Sequence, residues 1–167
     1  MRVVKALHGF KTQCYNCFKI NIVHCISRYW KYLFYLFIIS DGHLSMVRML
    51  IADDHPIIRQ RLKQLLLEEF PSAFFAEAQD TVSLLNEAMA AEWDIIISDL
   101  AMPGGGGLHA LTKIKETKPQ IPVLIISTYP EEQYATRVIQ AGAIGFLSKD
   151  NAESTLASIV KKILSKE

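Results

Sequence analysis

Short apolar runs that alternate five times with helix-like patterns constrain the fold of this chain more than any other feature of its sequence. The apolar runs lie at 47–52, 73–78, 95–97, 121–126 and 144–147. After each run, apolar residues recur three or four positions apart, which is typical of a helix with one buried face. Five strand–helix units in succession predict a parallel sheet with helices on both faces and right-handed connections.

The third apolar run, Ile95 to Ile97, consists of three consecutive isoleucines and predicts a strand that is buried on both faces. We therefore expect a flavodoxin-like, doubly wound α/β fold with a five-stranded parallel sheet of strand order 2-1-3-4-5. The first, third and fourth strands would be the inner ones. About 120 residues in such a fold bury roughly two-thirds of the surface of the unfolded chain, which is enough for a stable core.

The helix boundaries can also be predicted from local signals. Pro56 and Pro130 suit the starts of the first and fourth helices, because the first helical turn does not need the N–H that proline lacks. Asp80 and Asn151 are predicted to cap the second and fifth helices. In the fourth helix the predicted buried face includes Ile139.

The ends of the predicted strands carry polar residues. Asp53 and Asp54 follow the first strand, Asp99 ends the third, Ser127 the fourth, and Lys149 follows the fifth. In this topology the carboxyl ends of the strands meet at one edge of the sheet. Three carboxylates gathered there repel one another, and each close pair costs about 4 kcal/mol at ~4 Å and an effective dielectric of about 20.

A cation would offset this repulsion. Oxygen ligands with no His or Cys expected among them suit Mg²⁺, which also accepts phosphoryl oxygens. Lys149 supplies a second positive charge, and the hydroxyl of Ser127 supplies a hydrogen-bond donor. The set predicts a site for an aspartyl phosphate, a dianionic group attached to a carboxylate.

Residues 46–167 resemble the receiver domain of bacterial two-component response regulators, in the LuxR/FixJ-type (NarL-like) subfamily that usually carries a helix-turn-helix output domain. The resemblance covers the whole predicted domain with the spacings of that family. It rests on four motifs: Ile51–Pro56, Ser98–Leu108 with Met102-Pro103-Gly104 and Gly107, Ser127-Thr128, and Ala141–Asp150 with Gly142, Gly145, Phe146 and Lys149.

The resemblance implies a role for each site residue. Asp99 would be the phosphoacceptor, Asp54 a direct Mg²⁺ ligand, and Asp53 a ligand that acts partly through water. The backbone carbonyl of Ala101 would also bind Mg²⁺. The hydroxyl of Ser127 would contact the phosphoryl group, and Lys149 would pair with it. Phe146 would be an aromatic switch.

The resemblance also implies partners. A sensor histidine kinase or a phosphotransfer protein would donate the phosphoryl group, and phosphorylation would favour a homodimer. The protein would be a phosphoacceptor signalling domain and not an enzyme, with only self-catalysed phosphoryl transfer and slow autodephosphorylation. Because the sequence stops after the fifth helix, we expect either a stand-alone receiver or a shortened relative of a transcription regulator, without direct nucleic-acid contact.

Simpler roles stay open for these residues. Asp53 and Asp54 alone would suit helix caps, and Phe146 would suit the core. His55 is expected to be a surface residue beside the site and not a metal ligand, and His109 is expected to be exposed on the third helix. A phosphohydrolase that uses an aspartate nucleophile is a rival function, although it would need an acid two positions later, where the chain has Ala101. A binding module of the same fold that is never phosphorylated is a second rival.

The loop after Asp99 departs from the family pattern. Gly105 and Gly106 stand where the family usually has a larger residue and an amide or acid, so we expect a looser loop. Ala101 also lacks the polar side chain that would hold a water molecule near the site.

Charge and cysteine are unevenly divided along the chain. Residues 1–45 hold six Lys or Arg and one Asp, a formal charge of +5, whereas residues 46–167 hold twelve Lys or Arg and sixteen Asp or Glu, a charge of −4. All three cysteines lie in the first segment, which favours a reducing compartment, the cytoplasm, for the second. The acidic second segment would be repelled by nucleic-acid phosphates.

Residues 1–45 are basic and rich in cysteine and aromatic residues, and they show no sustained helical or alternating period. The apolar stretch 32–39 is shorter than the about 20 residues that cross a bilayer, so we expect no membrane span. Zinc-type ligands are also present, at Cys14, Cys17, His24 and Cys25. We expect an N-terminal extension that is either disordered or derived from a start codon assigned too far upstream of Met46.

Overall fold

The computed structural model describes residues 46–165. The expectations for residues 1–45, including the zinc-type ligands, lie outside the described residues. The elements follow in the order β1 (Arg48–Ala52), α1 (Pro56–Glu69), β2 (Phe74–Ala78), α2 (Thr81–Ala90), β3 (Ile95–Asp99), α3 (Gly106–Thr117), β4 (Val123–Ser127), α4 (Glu131–Gln140), β5 (Gly145–Ser148) and α5 (Lys149–Ser165).

The five strands form one parallel sheet in the order β2-β1-β3-β4-β5. The predicted fold class and strand order are therefore confirmed. Every residue of β3 and β4 is buried, as the continuous apolar runs in these inner strands predict.

Helices cover both faces of the sheet. One core lies under α2, α3 and α4 and includes Leu84, Leu111 and Val138. The other lies under α1 and α5 and includes Leu66 and Leu156. None of the helices described between residues 46 and 165 combines the length and the hydrophobicity of a transmembrane segment.

Most of the predicted helix starts are confirmed. Pro56 lies in the first turn of α1, and Asp80 caps α2 by accepting a 2.7 Å hydrogen bond from the Ser83 N–H. The prediction for Asn151 is wrong, because α5 begins two residues earlier, at Lys149. The hydroxyl of Ser148 accepts a 3.3 Å hydrogen bond from the N–H of Asp150. Ser148, the last residue of β5, therefore caps α5 itself.

The buried face of α4 is narrower than the sequence predicts. Val138 is fully buried, but Ile139 is 47% exposed. This helix packs mainly against β5, the edge strand of the sheet, so a single row of its side chains reaches the core.

Candidate phosphoacceptor site

The carboxyl ends of the strands bring the predicted acids and the predicted lysine together. Asp53 directly follows β1, Asp99 is the last residue of β3, and Lys149 directly follows β5. The Nζ of Lys149 lies 2.6 Å from Oδ2 of Asp53 and 2.9 Å from Oδ2 of Asp99. Lys149 therefore joins two carboxylates that belong to different strands.

These three groups are shielded from solvent. The side chains of Asp53 and Asp99 are 1% and 5% exposed, and that of Lys149 is 14% exposed. Burial raises the pKa of Asp99 above its usual range, although hydrogen bonding and the charge of Lys149 act in the opposite direction. Burial lowers the pKa of Lys149, but the two carboxylates outweigh this effect and raise it. The ammonium form of Lys149 is therefore strongly favoured between them.

Asp54 lies beside this ion pair and suits a cation. Its Oδ1 atom is buried and has no hydrogen-bond partner, and a buried charged oxygen without a partner is costly. Nδ1 of His55 is 2.8 Å from that oxygen, but the two atoms do not form a hydrogen bond. Ligand atoms of Asp53, Asp54 and His55 lie within 4.8 Å of one another. This oxygen-rich set with an unpartnered carboxylate oxygen fits Mg²⁺.

His55 lies at the surface beside the site, but it also belongs to the group of possible metal ligands, which the sequence did not predict. Its side chain is 68% exposed, as expected, but the ring also approaches Asp53 at 3.3 Å. Its backbone N–H donates a 2.8 Å hydrogen bond to Oδ1 of Asp53, so the residue helps to fix that carboxylate. A histidine directly after two acids was the available signal. His109 is exposed on α3, as expected.

Ser127 ends β4, the strand next to β3, and Phe146 lies on β5, on the far side of β4. Ser127 is buried, and its hydroxyl accepts a 3.1 Å hydrogen bond from the N–H of Tyr129. The ring of Tyr129 stacks on Tyr134 of α4 with a centroid distance of 4.9 Å. Phe146 is half-buried on β5 and packs against the core that α4 covers. Phe146 therefore has the simpler role expected for it, that of a residue packed against the core.

The loop between β3 and α3 carries Ala101, whose side chain is exposed. Gly105 and Gly106 both have positive φ, at 120° and 79°, which few other residues adopt. A Cβ at Gly107 would lie 2.0 Å from the carbonyl oxygen of Asp99. Glycine is therefore required at 107 for α3 to start directly behind the acid.

Comparison with known proteins agrees with this geometry. The family model described as the response regulator receiver domain matches residues 49–161. The chain is 34% identical to the glycerol metabolism activator of Pseudomonas putida over 120 residues, which are 71% of this chain and 54% of that protein. It is 38% identical to the transcriptional regulatory protein YdfI of Bacillus subtilis over 111 residues, which are 66% of this chain and 52% of that protein.

Two solved structures have the same fold. A LuxR-family two-component response regulator from Aurantimonas sp. has a TM-score of 0.68 and 30% identity, over 74% of this chain and 88% of that one. The response regulator TrrA from Thermotoga maritima, solved in complex with Mg²⁺ and BeF, has a TM-score of 0.64 and 28% identity, over 71% and 100%. The chain spans about half the length of the curated relatives it matches. From the family match, the fold and the cluster of acids at the sheet edge, we conclude that this chain belongs to the response regulator receiver domain family.

Proposed function

We propose that this protein is a phosphorylation-controlled receiver that accepts a phosphoryl group on Asp99. The observation that carries the proposal is the position of Lys149, whose Nζ contacts the carboxylates of both Asp53 and Asp99 at the edge of the sheet. A cation held there is placed to pair with a phosphoryl oxygen once Asp99 is modified.

The reaction would be a displacement at phosphorus. A carboxylate oxygen of Asp99 attacks the phosphorus of a phosphohistidine, the new P–O bond forms, and the P–N bond to the imidazole breaks. The leaving imidazole nitrogen takes up a proton from solvent and becomes neutral histidine. Lys149 then stabilises the added negative charge by an ion pair with a phosphoryl oxygen.

Asp53, Asp54, Asp99 and the backbone carbonyl of Ala101 would hold Mg²⁺. When bound, this ion would offset the negative charge of the carboxylates and the phosphoryl oxygens. The Oδ1 atom of Asp54 supports this role, because this buried oxygen accepts no hydrogen bond from the described residues.

Ser127 and Phe146 would carry the signal away from the site. The Ser127 hydroxyl is free to donate a hydrogen bond to the phosphoryl group, since its contact with the Tyr129 N–H uses it only as an acceptor. Its movement would leave room for the ring of Phe146 to turn inward between α4 and β5. We propose that the protein is cytoplasmic and that a sensor histidine kinase or a phosphotransfer protein is the donor. Phosphorylation would favour a homodimer.

The domain carrying this function would be residues 46–167, with residues 1–45 as an N-terminal extension. Self-catalysed phosphorylation by small donors and slow autodephosphorylation would be its only chemical activities.

Incubation with acetyl phosphate and Mg²⁺, followed by intact-mass measurement, tests the proposal. We expect one phosphoryl adduct on the parent protein and none on Asp99→Asn. Asp150→Asn is the matched control, because Asp150 is an exposed acid next to Lys149 and should leave the adduct unchanged. A parent protein that takes up no phosphoryl group, or an Asp99→Asn variant labelled to the same yield, would overturn the assignment.

A further inference from the structure

We infer that Arg59 is a positioning residue for the acid pair, because it holds the carbonyl group of the peptide that links Asp53 to Asp54. This inference rests on the proposed Mg²⁺ site and extends it to a residue of α1. Arg59 contacts neither carboxylate, so its effect would act through the backbone alone.

The contact is made with the carbonyl group of Asp53. Nη1 of Arg59 donates a 2.7 Å hydrogen bond to the backbone oxygen of Asp53. The N–H of Asp53 donates in turn to the carbonyl oxygen of Ala78, at 3.1 Å, beyond the end of the β1–β2 ladder. Both polar groups of the Asp53 backbone are therefore held, and the peptide that leads into Asp54 has a fixed orientation.

Arg59 is itself anchored by β2. Its Nε lies 3.2 Å from Oε2 of Glu77, and the Nζ of Lys63 lies 3.2 Å from the other oxygen of the same carboxylate. Burial raises the pKa of Glu77, but Arg59 and Lys63 outweigh this effect and lower it, so the carboxylate stays charged. The side chain of Arg59 is only 14% exposed. A planar guanidinium is suited to this position, since it donates to two acceptors in a fixed geometry.

The charge of Arg59 and its contact with the Asp53 backbone should change Mg²⁺ binding in opposite directions. A fixed positive charge near the acid pair opposes the approach of Mg²⁺, and its removal should strengthen binding if electrostatics dominated. If orientation of the acid pair dominates, its removal should weaken binding, as the loss of groups that orient metal ligands typically does. The sign of the change separates the two effects.

Mg²⁺ titration of the full chain by isothermal calorimetry is the test, with Arg59→Gln compared with Arg61→Gln. Arg61 is on the same helix and pairs with Glu153 of α5 at 2.8 Å, so its loss removes the same charge without touching the Asp53 backbone. We expect Arg59→Gln to raise the Kd for Mg²⁺ about tenfold, and Arg61→Gln to leave it unchanged or slightly lower.

Arg59→Lys provides a second variant in case Arg59→Gln does not fold. It keeps the charge but cannot hold the Asp53 carbonyl and Glu77 in the same way. A raised Kd in this variant, with a melting temperature near that of the parent without Mg²⁺, supports positioning. An unchanged Kd in both Arg59 variants, or a lower melting temperature as their only defect, would overturn the inference. If the parent protein bound no Mg²⁺, the proposed metal site itself would fail, which is a different result.

Discussion

The Nζ of Lys149 lies 2.9 Å from Oδ2 of Asp99, although the two residues are 50 positions apart in the sequence. The contact joins the last residue of β3 to the first residue of α5 across β4. Because this ion pair includes the proposed phosphoacceptor, the stability of the fold and the phosphorylation of Asp99 should both depend on it.

Lys149→Met should destabilise the protein in the absence of Mg²⁺. The substitution leaves the buried carboxylates of Asp53 and Asp99 without their shared cation, and the loss of one partner from such a pair costs on the order of 3 kcal/mol. Urea unfolding measures the change, with Lys162→Met as the control because Lys162 is exposed on α5. Added Mg²⁺ should restore part of the loss. Equal unfolding free energies for the two variants would contradict the prediction.

Asp99→Asn should be more stable than the parent at neutral pH. Burial raises the pKa of Asp99 above its ordinary value of 3.8, so the folded protein binds this proton more tightly than the unfolded chain does. The stability gained from the protonated group is complete below pH 3.8 and is lost as the pH rises through the folded pKa.

The advantage of Asp99→Asn should therefore shrink as the pH is lowered toward 4. Urea unfolding at a series of pH values without Mg²⁺ measures it, and the exposed Asp150→Asn should match the parent throughout. If the difference in unfolding free energy between Asp99→Asn and the parent did not change with pH, burial would not destabilise the charged form of Asp99. A variant less stable than the parent at neutral pH would show the same.

Gly107→Ala should displace the backbone of Asp99. The added Cβ would lie 2.0 Å from the Asp99 carbonyl oxygen, and backbone cannot move aside as a side-chain end does. We expect a loss of about 1–3 kcal/mol, typical of overpacking, and slower labelling by acetyl phosphate. Gly145→Ala is the matched control, since its Cβ would meet only a methyl group of Leu124 at 3.2 Å. Labelling of Gly107→Ala at the parent rate would refute the prediction.

Residues 46–167 should fold without the segment before them. Residues 1–45 have no periodic apolar face, whereas the strands and helices from 47 onward carry the apolar patterns of both cores. A chain that begins at Met46 should melt within a few degrees of the full chain, as circular dichroism would show. A loss of more than about 2 kcal/mol, comparable to the deletion of a core side chain, would contradict this domain boundary.

The sequence predicts the sheet and the strand-end residues well because both follow from periodicity and topology. Buried inner strands need continuous apolar runs, and parallel strands bring Asp99 and Lys149 to the same edge whatever the loops do. The contact from Arg59 to the Asp53 carbonyl has no such signal, because a backbone acceptor looks the same at every residue. The start of α5 is ambiguous for a different reason, because the sequence offers two good capping residues, Ser148 and Asn151, and the structure uses Ser148.

The aspartyl phosphate on Asp99 should be long-lived, and the side chain at 101 should control its lifetime. Hydrolysis requires a water molecule in line with the breaking P–O bond, and a nearby polar side chain helps to hold that water. Ala101 has no polar side-chain group that could hold this water. We also expect the side chain two residues after Ser127, which is Tyr129, to flank the approach of the water. Its ring stacks on Tyr134 and is 42% exposed. We therefore expect a smaller effect from Tyr129 than from Ala101.

Loss of the phosphoryl group over time, followed by intact mass in the presence of Mg²⁺ after removal of acetyl phosphate, tests this prediction. Ala101→Asn should lose the group about tenfold faster than the parent, because ~1.4 kcal/mol of improved water positioning gives that factor. Tyr129→Ala should shorten the lifetime less, and Ala101→Val, which adds bulk without a polar group, should not shorten it. If Ala101→Asn and Ala101→Val decayed at the same rate, the polarity of this side chain would have no part in hydrolysis.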